Sequence, residues 1–124
     1  MVSINRAREL LRKYPALQHG RALWLDQLER ERSPRRAEML RGRLAEDERL
    51  LSGMREAIKK LDPIEQRIIT QRYFSPKNIR CTPWRSVFLT VYGADDQAHQ
   101  RAGFRAHRAA LDKLDGAFES AGLY

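Results

Sequence analysis

Apolar side chains recur along this chain in steps of three and four, and that spacing predicts helices from one end to the other. Leu10, Leu11 and Tyr14 mark a first helix that Ser3 can cap, and Pro15 stops or kinks it. A second helix takes residues 16 to about 32, with Leu17, Trp24 and Leu28 along one side and Leu25 beside them. Gly20 weakens its first turns. Ser33-Pro34 breaks that helix and starts another, because Ser33 can cap and proline suits the first helical position. The next stripe is the longest: Ala37, Leu40, Leu44, Asp47, Leu51, Met54, Ile58 and Leu61 form a heptad seam with one polar break at Asp47. The short link makes the second and third helices antiparallel neighbours. A two-helix hairpin alone buries too little apolar surface to be stable. Its seam must meet either the rest of its own chain or a second copy, and a homodimer through these helices is one expectation.

The stretch 61–114 has a different grammar. Asp62 can cap a helix, Pro63 takes its first position, and Glu65 can reach back to the cap's backbone N–H. Ile64, Ile68 and Ile69 follow, then a polar loop over 75–83 that holds two prolines. Thr82-Pro83 reads as another helix start. Behind it Trp84, Val87, Phe88 and Val91 fall on one face of a short helix, which Gly93 closes in a left-handed conformation. Trp84 is expected to be buried against Ile68 or Ile69 and the Leu111 side of the last helix. Asp95 or Asp96 caps that long last helix, which reaches Phe118. Its buried stripe is Phe104, Leu111, Leu114 and Phe118, with His107 on the same line. Residues 87–92 have β-branched and aromatic density, but their spacing is helical. The expected fold class is all-α, with five to six helices: an N-terminal helical hairpin or arm over 1–60, then a helix-turn-helix DNA-binding domain over 61–124.

Charge gives this pattern a partner. The chain has 124 residues, a net charge of +8 and far more arginine than lysine. That balance favours polyanions, and arginine pairs bidentately with phosphate and guanine; a GC-rich genome is the bland source of the same bias. The single cysteine, Cys81, excludes an internal disulfide and a cysteine-based zinc site. No apolar run approaches a membrane span, and the first residues lack the apolar core of a signal peptide, so a cytoplasmic chain is expected. His99 and His107 have no third ligand nearby, which argues against a metal. Asp95 and Asp96 are adjacent, diverge on a helix and read as caps rather than an acid–base pair. With no phosphate loop and no nucleophile motif, neither an enzyme nor a cofactor is expected.

Gln97, Arg101, Arg105 and Arg108 form a second stripe on the last helix, roughly a quarter of its circumference from the buried one. Base edges in the major groove pair with glutamine and arginine, and the first turns of a recognition helix enter the groove. Gln97, Gln100 and Arg101 are therefore the base-contact candidates, while Arg105 and Arg108 are assigned to phosphate. Arg85, with Ser86, starts the helix that should cross the backbone, and Lys77 and Arg80 in the loop can add phosphate contacts. An ordinary solvated basic face has the same composition. Trp84, Phe88 and Tyr73 sit at helical spacing and read as core rather than as stacking platforms.

The run IEQRIITQRYF, the short helix ending in YG and the later HRAALDKL together resemble region 4 of bacterial sigma factors. They are closer still to the sigma-region-4-like regulators of phages and prophages, the ArpU and RinA-type late-gene activators. Leu61, Glu65, Ile68, Ile69, Arg72, Tyr73, Phe74, Trp84, Val87, Tyr92, Gly93, Arg108, Ala109, Leu111 and Leu114 carry the resemblance, over the C-terminal half of the chain. It implies a sequence-specific transcription regulator that binds double-stranded DNA and has RNA polymerase as a second partner. Two features depart from the pattern: the loop 75–83 is longer than the usual link, and Asp95-Asp96 stand where Ser or Thr is customary. The competing readings are a DNA-packaging protein of the small-terminase type and a helical protein-interaction module. Packaging proteins usually place the reader before the oligomerisation helices, the reverse of the order here.

Overall fold

The computed structural model describes residues 4–74 and 80–124, and every regular element among them is an α-helix. The expected Ser3 cap and the Lys77 contact lie outside the described residues. The helices are α1 (Ile4–Arg12), α2 (Tyr14–Arg30), α3 (Pro34–Ile58), α4 (Pro63–Tyr73), α5 (Trp84–Tyr92) and α6 (Gln97–Ser120).

Local chemistry explains most boundaries. Pro15 sits in the first turn of α2, where its missing N–H costs nothing, so the interruption after α1 is confined to Lys13. Ser33 caps α3 by accepting from the Arg36 N–H at 3.4 Å. That helix stops at Ile58, short of the expected Leu61; Leu61 instead donates to the Ile58 carbonyl in a tight turn and stays buried. Glu65 accepts from the Asp62 N–H at 3.0 Å at the start of α4, and the Gln66 amide donates to the Lys59 and Leu61 carbonyls across the link. Thr82 does not cap α5; Pro83 holds the cap position with no side-chain bond. Thr82 is used elsewhere: its N–H donates to the Arg72 carbonyl at 2.9 Å, and its carbonyl accepts from Arg72 Nη1 at 2.6 Å. These bonds pin the chain after the loop to the end of α4. Gly93 ends α5 at φ 72°, a conformation that a Cβ disfavours, and Asp96 caps α6 by accepting from the His99 N–H.

Both halves of the chain build the same core. Ala7, Leu10 and Leu11 of α1 meet Leu51, Met54 and Ile58 of α3, Ile69 and Tyr73 of α4, and Leu111, Leu114 and Phe118 of α6. A smaller cluster of Ile68, Val87 and Val91, with Trp84, Tyr92 and Ala106 against it, holds α5 to α4. The α3 seam is thus met within its own chain, by α2 along its first half and by α1 and α6 along its second. Asp47 is buried in it, as the heptad spacing places it. Polar ties complete the closure. Buried Asp115 accepts from Arg6 Nε and from the Tyr124 hydroxyl, both at 2.7 Å, and buried Glu65 takes Lys113 Nζ at 2.8 Å. Farther out the hairpin is thinner, and Leu23, Leu25 and Met39 are exposed, Met39 at 69%.

Two expected core residues lie elsewhere. Phe104 is 46% exposed, because α5 meets α6 one residue earlier, at Gly103, leaving the Phe104 ring at the rim of that contact. Trp84 is half-buried rather than buried: it packs against the Ile68 cluster, but its α6 neighbours are Phe104 and His107.

Candidate nucleic-acid interface

The α5–α6 contact decides which face of α6 is free. Gly103 is buried under the Phe88 ring, and a Cβ there would lie 2.3 Å from Phe88 Cε1. No side chain larger than hydrogen fits without moving a buried aromatic. On a helical wheel the face opposite Gly103 carries Arg101, Arg105 and Arg108, with Gln97 one turn earlier. All four are exposed, and no ion pair engages these arginines among the described residues.

The other candidates are held differently. Gln100 is half-buried and donates through Nε2 to the Asp95 carbonyl at 3.1 Å and to Asp95 Oδ1 at 3.2 Å, which leaves its amide oxygen as the available group. Arg85 is 81% exposed and lies 3.7 Å from Asp95, a loose pair that an incoming phosphate can displace. Ser86 and Arg80 are exposed. Asp96 is committed to His99, accepting from its N–H and lying 2.8 Å from Nδ1. The backbone and side-chain hydrogen bonds from His99 hold the Asp96 carboxyl below its usual range, so it is ionised at the positive end of α6. Both aspartates therefore have local partners, and Arg101 is not among them.

A second basic cluster adjoins this face. Arg8 and Arg12 of α1, Arg72 and Tyr73 of α4, Trp84 of α5, and Phe104 and His107 of α6 line a cleft of about 180 Å³. The Arg72 guanidinium lies 4.5 Å from the Trp84 ring centroid. The Tyr73 hydroxyl lies 2.7 Å from His107 Nε2. Burial, with the positive charges of Arg8, Arg72 and Arg12 added, lowers the His107 pKa from 6.5 to about 4. A neutral His107 can then accept from the tyrosine. Sequence reasoning missed Arg8 and Arg12. Their spacing of four puts them on one helical face, but nothing local shows that α1 lies against α6.

Among the described residues no group of His, Cys, Asp and Glu could hold a metal ion, and no helix is long and apolar enough to cross a membrane. What the face offers is dense arginine with rigid aromatic support, which is chemistry for holding phosphate and reading base edges. Comparison of the chain with family models, with curated proteins and with solved structures finds no match.

Proposed function

We propose that this chain is a sequence-specific DNA-binding transcription regulator of the phage or prophage type, with a sigma-region-4-like reader formed by α4, α5 and α6. The observation that carries the reading is the exposed stripe Gln97, Arg101, Arg105 and Arg108, on the side of α6 turned away from its contact with α5. A helix so oriented can enter the major groove with its first turns. Gln97 and Arg101 then read bases, the Gln100 amide oxygen can accept from an adenine or cytosine amino group, and Arg105 and Arg108 hold phosphate. Arg85 positions the domain on the backbone. The proposal takes double-stranded DNA as the main partner, RNA polymerase as a second, and the cytoplasm as the compartment.

Base readers and phosphate holders respond differently to truncation. Arg101→Ala should cost about 1–3 kcal/mol on a selected duplex and little on a scrambled one. Arg85→Ala should weaken both and reduce the salt slope by about one unit. The two kinds of duplex, titrated over a salt series, make the test. Equal binding of both by the unmodified protein would remove the regulator reading and favour an interaction module.

The proposal includes a homodimer. The inner part of the α3 seam is used within the chain, so the second copy must use the outer hairpin, where Leu25 and Met39 remain exposed. Light scattering at micromolar concentration should give twice the monomer mass, and Met39→Glu should return it to the monomer. A monomeric mass for the unmodified protein would remove this part.

A further inference from the structure

We infer that the cleft formed where Arg8 and Arg12 of α1 face Arg72, Trp84, Phe104 and His107 is a seat for a phosphate oxyanion. This goes beyond the reader helix, because it gives α1 a ligand of its own.

Three guanidiniums line the cleft and no carboxylate does. Like charges gathered at one place repel, so the arrangement raises the energy of the empty protein. The surroundings relieve it only in part. Arg12 has Glu9 at 2.9 Å, and Arg72 donates to the Thr82 carbonyl. Arg8 has neither kind of relief: its Nε is fully buried without a hydrogen-bond partner among the described residues, and so is the Nε of Arg72. Buried donors left open in this way are costly and add to the strain of the empty cluster, which an anion at the accessible ends of the same side chains would offset by relieving the charge repulsion. A tetrahedral dianion supplies acceptor oxygens for several guanidinium donors at once, which a single carboxylate does less well. The volume, about 180 Å³, is small for a drug-sized ligand and suits one compact oxyanion group. Trp84 and Phe104 form the aromatic part of its wall, and the cleft is open to solvent, so an anion can enter from outside.

Position suggests where the phosphate comes from. Phe104 belongs both to the cleft and to the exposed surface of α6, three residues after Arg101 and four before Arg108. Those spacings make the three side chains neighbours on the helix. A backbone phosphate of a duplex lying on the arginine stripe is therefore one source, and a free phosphate or phosphomonoester is the other.

The probe is inorganic phosphate, and the reporter is Trp84 in a Trp24→Phe background, where it is the sole tryptophan. Phosphate should change Trp84 emission saturably, and sodium chloride at matched ionic strength should not. Arg8→Gln should weaken the phosphate response at least tenfold while leaving the melting temperature without phosphate unchanged or higher, since it removes repulsion. The imidazole resonances of His107 give a second readout: an anion among Arg8, Arg12 and Arg72 should raise its pKa, and Arg8→Gln should abolish that rise. A phosphate response equal to that of chloride, an undiminished response in Arg8→Gln, or a lower melting temperature in that variant would overturn the seat. The source is decided in a separate arm with duplex. A salt slope reduced by about one unit in Arg8→Gln assigns the phosphate to DNA; an unchanged slope assigns it to a free ligand, and either result supports the seat. The phosphate arm contains no DNA, so its failure is distinct from failure of the reader assignment.

Discussion

Phe118→Ala should cost about 3–5 kcal/mol, the usual scale for truncating a fully buried aromatic, and should weaken all the helices together. Phe118 has no exposed surface and belongs to the cluster that joins α1, α3, α4 and α6. Its ring also meets the edge of Tyr124, whose hydroxyl is fixed on Asp115. A cavity there is walled by several helices, so the site has little room to collapse. Denaturant melts followed by far-UV circular dichroism and by tryptophan fluorescence should shift by the same amount, because Trp24 and Trp84 report on opposite ends of one cooperative unit. Trp84→Ala should cost less, since Trp84 is only half-buried. Two separated transitions, with the α2–α3 hairpin surviving, would show that the hairpin folds independently of the reader.

Acid should destabilise the protein through His107 by up to about 3 kcal/mol between pH 6.5 and 4. The sign follows from the protons bound. In this window the unfolded chain holds a proton on His107 that the folded chain does not, so lowering the pH favours unfolding. Burial is the main cause and the guanidiniums of Arg8, Arg72 and Arg12 add to it; the Tyr73 hydroxyl is the uncharged partner in the same pocket. His107→Gln keeps an acceptor for Tyr73 and removes the titration, so its stability should be flat where the parent falls. Asp96 and Glu46, whose carboxyls lie below their usual range, add losses that begin as the pH falls through their ordinary values of 3.8 and 4.5 and continue below them. A parent protein whose melting midpoint does not move between pH 7 and 4.5 would contradict the assignment.

Much of the fold could be read from residues whose role is local. Ser33-Pro34, Asp62 with Glu65, Gly93 and Asp96 act on their own backbone, and each ends or starts a helix where the sequence places it. The all-α class follows from spacing alone. Contacts between helices were harder to read, because a periodic stripe shows which face is apolar and not what covers it. The α3 seam could serve a partner or its own chain, and only the tertiary arrangement shows α2, α1 and α6 against it. The same gap hid Arg8 and Arg12. Phe104 was misplaced for a related reason: it shares a stripe with Leu111, but the close approach is made at Gly103. A glycine inside a helix costs about 1 kcal/mol relative to alanine, and that cost was the available signal for a tight crossing.

The claim that α6 reads DNA is tested most directly by mapping the bound duplex onto the protein. Backbone amide and arginine Nε resonances can be followed while a duplex selected from a random pool is added at low salt. The largest shifts are expected at Gln97, Arg101, Arg105 and Arg108, with smaller ones at Arg85. Shifts confined to the α2–α3 hairpin, or none at any salt concentration, would contradict it.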